Sequence, residues 1–162
     1  MVSCPCDGRR AREVAAWAVA AGLMVLAGTR PARAAWSVST SSGVNFGSYD
    51  VFSASPVGST GQFTWWCAPL TFPDVRNTLT KGASPTYAAR TMVNGSNTLL
   101  YNLYLDSART IVWGDESDGT EAYCPQYSGL GQINVCIDGR VPASQDAAAG
   151  SYLDTVTLVI NF

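Results

Sequence analysis

An all-β sandwich is the fold class this sequence predicts, and three observations predict it. Short alternating or β-branched segments recur throughout, Gly, Ser, Asn, Asp and Pro clusters separate them, and no stretch holds a 3.6-residue apolar period. The strand expectations are Trp36 to Tyr49 with a break at Ser41-Ser42-Gly43, then Gly61 to Ala68, Tyr87 to Val93 and Thr98 to Leu105. They continue with Thr110 to Trp113, Gln132 to Ile137 and Ser151 to Phe162. About seven strands in a domain of this length suit a two-sheet sandwich. The stretch Ser53 to Gly61 reads as a polar loop, and Asn94-Gly95-Ser96 reads as a turn.

The first residues set the compartment. Arg9, Arg10 and Arg12 precede an uncharged apolar run from Val14 to Gly28, followed by Ala32-Arg33-Ala34. A run of about 15 residues is short for a membrane span, which needs roughly 20, and the small-x-small tripeptide suits signal peptidase. Residues 1–34 are therefore expected to be a signal peptide, and residues 35–162 one domain, exported through the inner membrane to the periplasm. From there its destination is the cell surface or the medium.

Beyond residue 34, Arg76, Lys81, Arg90, Arg109 and Arg140 stand against Asp50, Asp74, Asp106, Asp115, Glu116, Asp118, Glu121, Asp138, Asp146 and Asp154. This acidic balance argues against nucleic acid as a partner. The chain has no histidine, which removes Ser-His-Asp and Cys-His catalysis and the common zinc sites. No Gly-rich phosphate loop follows a strand and opens a helix. Lys81 is the sole lysine and sits in a Lys-Gly-Ala-Ser-Pro turn, with no defensible serine partner. The expectation is a protein that is not an enzyme, with no catalytic residues, no cofactor, no metal and no small-molecule substrate. The acidic stretch Asp115 to Glu121 fits no EF-hand spacing and reads as a solvated loop, with a weak calcium site as its alternative.

Cys67, Cys124 and Cys136 remain after the signal peptide. Cys124 and Cys136 flank the turn-rich Pro125 to Gly131, where a hairpin bridge would be worth about 3 kcal/mol on the chain-entropy model. That leaves Cys67 as the free thiol, or as a small buried apolar side chain. Trp65 and Trp66 are adjacent, so on a strand they point to opposite faces and only one joins a core; the other is a candidate surface aromatic for adhesion. In the last segment Val156, Leu158, Ile160 and Phe162 share one face. An apolar strand at this point needs a neighbour, either an earlier strand of the same chain or one supplied from outside.

Five ordered blocks carry a resemblance. They are Val44-Asn45-Phe46-Gly47-Ser48-Tyr49-Asp50, Leu100-Tyr101-Asn102-Leu103-Tyr104-Leu105-Asp106, Arg109-Thr110-Ile111-Val112-Trp113-Gly114-Asp115, Gly139-Arg140-Val141-Pro142-Ala143-Ser144-Gln145 and Ala149-Gly150-Ser151-Tyr152-Leu153-Asp154-Thr155-Val156. The chain resembles the spore coat protein U domain, which also forms the subunits of archaic chaperone–usher pili. The resemblance implies an immunoglobulin-like β-sandwich lacking its last strand, completed first by a periplasmic chaperone and then, through an outer-membrane usher, by the N-terminal extension of another pilin subunit. It implies a fimbrial subunit with a role in adhesion and biofilm formation, the alternative being a self-contained secreted or spore coat protein. It also implies an acceptor groove lined by Val156, Leu158, Ile160 and Phe162. Family members commonly pair a cysteine near the mature N-terminus with one on the second strand. Here Trp36 stands at the first position and Cys67 at the second. Only Ala35 to Gly43 precede the Val44 block, so the resemblance also points to a subunit that accepts a strand but donates one poorly.

Overall fold

The computed structural model describes residues 35–68, 75–125 and 131–161; the side chains of residues 35, 36, 39–41, 67, 68 and 131 lie outside that description. The predicted signal peptide and Phe162 lie outside it as well. Seven strands form among the described residues and no helix: β1 (Ala35–Ser42), β2 (Val57–Ala68), β3 (Arg76–Leu79), β4 (Arg90–Asn94), β5 (Asn97–Tyr104), β6 (Gly131–Val141) and β7 (Leu158–Asn161). They build a five-stranded sheet in the order β1-β2-β6-β5-β4 and a two-stranded sheet of β3 and β7. All pairings are antiparallel.

Alternation puts the core between the sheets. On β2, Phe63 and Trp65 are buried while Gln62 and Trp66 are exposed. Val135 and Val141 of β6, Leu99, Tyr101 and Leu103 of β5, and Leu79 of β3 join the same cluster. Trp113 closes it from the connection after β5: it is 0 % exposed and its Nε1 donates to the Asn77 carbonyl at 2.8 Å. Burying aromatic and aliphatic side chains of this size contributes about 1.5–3 kcal/mol each before entropy is charged against it.

The β4–β5 hairpin follows its local chemistry, with Asn94 opposite Asn97 and Gly95 at φ 60° in the turn. β2 begins at Val57, inside the stretch that composition marks as a loop, because β6 continues to Val141 and pairs with it. Gly58 suits that position: a Cβ there would lie 2.6 Å from the Arg109 guanidinium. Thr110 to Trp113 is not a strand. The Asp106 carboxylate accepts from the backbone N–H of Thr110 and Ile111, folding the segment into a turn whose strand-type pairing is limited to isolated bridges at Val112 and Trp113.

Gly139 on β6 lets residues 44–46 pack down onto the sheet, since a Cβ there would sit 2.6 Å from Val44 and 2.8 Å from the Phe46 ring. Gly139→Val is therefore expected to lower stability by about 1–3 kcal/mol through overpacking, read as a lower urea midpoint at unchanged slope. An unshifted midpoint would mean that the segment moves aside freely.

Candidate functional site: an unclosed groove along the last strand

The two sheets do not close on each other along one side. Between the β1 end of the large sheet and β7 of the small one runs a groove of about 590 Å³. Its walls are Val38, Val44 and Phe46 on one side and Val156, Leu158 and Ile160 on the other, and Phe63, Leu79, Met92 and Leu103 line it as well. These are inward-facing residues. Val38 pairs with buried Trp65, so its side chain shares the core face, yet it is 58 % exposed. The segment from Ser151 to Asn161 alternates without a break, odd positions exposed and even positions half-buried. Core-facing apolar side chains left half in water on both banks mark a place that no described strand covers, about one strand wide.

Backbone hydrogen bonding agrees. On β3, the N–H groups of Asn77 and Leu79 donate to the carbonyls of Tyr123 and Gly114, away from β7. The Thr80 N–H donates to the Thr157 carbonyl, so the ladder to β7 runs through Thr80 and Thr78. By the same alternation, the backbone groups of Leu158 and Ile160 point to β7's other edge, into the groove. Among the described residues no strand pairs with that edge.

One polar feature interrupts the apolar lining. The Tyr101 hydroxyl donates to Asp154 Oδ2 at 2.6 Å, and Asp154 Oδ1 accepts from the N–H groups of Ala83 at 3.0 Å and Thr155 at 2.8 Å. Burial, then the bond to Asp154, pushes the Tyr101 phenol well above its ordinary pKa, so it stays protonated. Behind them lies Arg90, 0 % exposed and opposite Tyr101 in the β4–β5 ladder. Its Nε and Nη2 donate to the Thr80 carbonyl at 3.2 and 3.1 Å, Nη2 also to the Trp113 carbonyl at 2.7 Å, and Nη1 to Asn102 Oδ1 at 2.7 Å. Its guanidinium carbon stands 5.0 Å from the centre of the Tyr87 ring. Burial pulls the Arg90 pKa below its ordinary value, and the network ties β4, β5 and the Trp113 turn together behind the groove.

Val156, Leu158 and Ile160 lie together along the groove, while Phe162 lies outside the described residues. Trp65 is buried at 1 % and Trp66 points out at 39 %. Phe52, 94 % exposed on a turn after Asp50, is a more prominent surface aromatic that the sequence reading passed over. Its signal was the Tyr49-Asp50-Val51-Phe52 turn chemistry, in which Asp50 Oδ1 accepts the Phe52 N–H at 2.9 Å.

The Cys124–Cys136 bridge is corrected: Cys136 carries a free thiol on the exposed face of β6, opposite Gln62. Residue 123 bridges to Asn77 beside the small sheet, whereas β6 lies in the large one between β2 and β5. Cys124 is disulfide-bonded, and its partner lies outside the described side chains, as does the side chain of Cys67, the expected free thiol. Maleimide labelling of the native protein is expected to modify Cys136, and Cys136→Ser is expected to remove that label with a stability change within about 0.5 kcal/mol. A native protein in which Cys136 resists labelling would restore the bridge.

Among the described residues, fold and groove define a β-sandwich whose last strand keeps one unpaired edge. The chain belongs to the Spore Coat Protein U domain family, whose model matches residues 27–159. It is 35% identical over 133 residues to Protein U of Myxococcus xanthus, covering 74% of this chain and 71% of that one. Its fold is similar to a solved structure, the CsuC–CsuE chaperone–tip adhesion subunit pre-assembly complex from archaic chaperone–usher Csu pili of Acinetobacter baumannii. That match has a TM-score of 0.56 at 21% identity and covers 80% of this chain and 40% of the other, so this chain spans less than half of its length.

Proposed function

We propose that this protein is an exported, non-enzymatic structural subunit of a bacterial surface fibre, assembled by donor-strand complementation. In this reading a periplasmic chaperone and then another subunit lay a strand into the groove, with an outer-membrane usher as the assembly platform and adhesion and biofilm formation as the outcome. The observation that carries the reading is the open edge of β7, with its backbone groups unpaired by any described strand and Val156, Leu158 and Ile160 half-exposed beside it. A strand laid there would satisfy the backbone and cover the apolar row at once. Membership of the spore coat protein U family and the likeness to a subunit solved with its chaperone support it.

Residues 1–34 act as the export signal in this proposal, and the domain starts at Ala35. Ala35 to Ser42 is paired with β2 from end to end apart from a register shift at Ser39, and offers little apolar alternation. The subunit therefore accepts a strand and donates poorly, as one at a fibre end would. Size-exclusion chromatography of the exported protein, with and without the periplasmic chaperone of its host, tests the reading. A stable 1:1 complex, with poor recovery of the subunit alone, is the expected result. A well-behaved monomer that ignores the chaperone would favour a self-contained coat protein instead.

A further inference from the structure

The inward row of the last segment is not uniformly apolar. Two residues before Val156, the same row carries Asp154, which lines the groove with Tyr101. The phenol proton is committed to Asp154 Oδ2, and Oδ1 is held by two backbone N–H groups. The pair therefore presents spare lone pairs to the groove and no spare proton. Arg90 supplies a counter-charge from behind, but its guanidinium is engaged with Thr80, Asn102 and Trp113 and does not line the groove. While the groove is open, water can serve these acceptors. Once a strand seals it, an acceptor without a donor is costly, and an acceptor facing another acceptor more so.

We infer that the groove selects its strand at this point. The incoming side chain that meets Asp154 and Tyr101 is a hydrogen-bond donor, a hydroxyl or an amino group, while those meeting Val156, Leu158 and Ile160 are apolar. This rests on the strand-acceptor reading above and adds to it the chemistry of the occupant. A carboxylate at the Asp154 position is rejected, so the same groove discriminates between strands of equal apolar content.

The test uses the exported protein and synthetic peptides of alternating apolar sequence, in which each inward position is varied in turn among Val, Thr, Lys and Glu. Val and Thr have nearly the same shape, so their comparison isolates the hydroxyl. At one position only, Thr is expected to bind about tenfold tighter than Val and Glu about a hundredfold weaker, with Val preferred elsewhere. Asp154→Asn keeps an oxygen for Ala83 and Thr155 and gains a donor, so it is expected to flatten the Thr preference and admit Glu. Val preferred at every position, or an unchanged preference in Asp154→Asn, would overturn the inference while leaving strand acceptance standing. No binding by any alternating apolar peptide would remove the strand-acceptor reading itself.

Discussion

Leu158→Asp is expected to abolish stabilisation of the protein by an added alternating apolar strand. Leu158 sits in the middle of the exposed row, between Val156 and Ile160, and lines the groove. In the free protein its side chain is only half-buried, so a carboxylate there can keep much of its water and the fold itself should survive. In the occupied groove the same carboxylate would be sealed against apolar side chains, a cost of several kcal/mol. A strand present at one hundred times its dissociation constant stabilises the native state by about 2.7 kcal/mol. The wild type should gain that increment in a thermal melt and Leu158→Asp should gain none. Val159→Asp, one residue on and pointing outward at 39 % exposure, should respond like the wild type. Equal stabilisation of all three proteins would place strand binding elsewhere.

Arg90→Met carries the second large effect, this time on folding. The substitution keeps most of the apolar stem but removes the donors that serve the Thr80 and Trp113 carbonyls, while Asn102 Oδ1 keeps the Leu103 N–H. Each buried acceptor stranded without a partner costs about 1–3 kcal/mol. A loss of at least about 3 kcal/mol is expected, which for a domain of this size lowers the melting temperature by roughly ten degrees or more. Arg90→Lys should recover little of it, because a single ammonium cannot reach three acceptors arranged for a planar fork. Arg140→Met, exposed on the outer face of β6, is the control and should change stability by less than about 0.5 kcal/mol. If the two methionine variants melt alike, the buried guanidinium does not hold the sheets in the way its geometry indicates.

Periodicity made much of this fold legible, and its failures have particular causes. The row Val156, Leu158, Ile160 was readable because a strand half-covered on one face leaves a clean two-residue period. The β4–β5 turn was readable from Asn94-Gly95-Ser96 because the turn places Gly95 at positive φ, where few other residues fit. β3 was missed because Arg76-Asn77-Thr78-Leu79 carries one apolar side chain in four, and Asn77 is buried only through its place between β7 and Tyr123. The start of β2 was missed because Gly58, placed there for the approach of Arg109, looks like a loop residue. Cys124 and Cys136 are close in sequence, yet Tyr123 bridges to Asn77 beside the small sheet and β6 lies in the large one. Arg90 reads as a surface cation in any local window, since its partners come from Thr80, Asn102 and Trp113. Asp154 was within reach: its parity with Val156 put it in the groove row, but it is Tyr101 on β5 that makes the position a site.

Backbone hydrogen exchange at Leu158 and Ile160 tests the unclosed sandwich most directly. In the purified protein alone, both amides should exchange far faster than Val159, whose N–H faces β3, and both should become protected when an alternating apolar peptide or a chaperone is added. Strong protection of Leu158 and Ile160 in the isolated monomer, equal to that of Val159 and unchanged by any added strand, would mean that the chain closes its own edge and takes no strand from a partner.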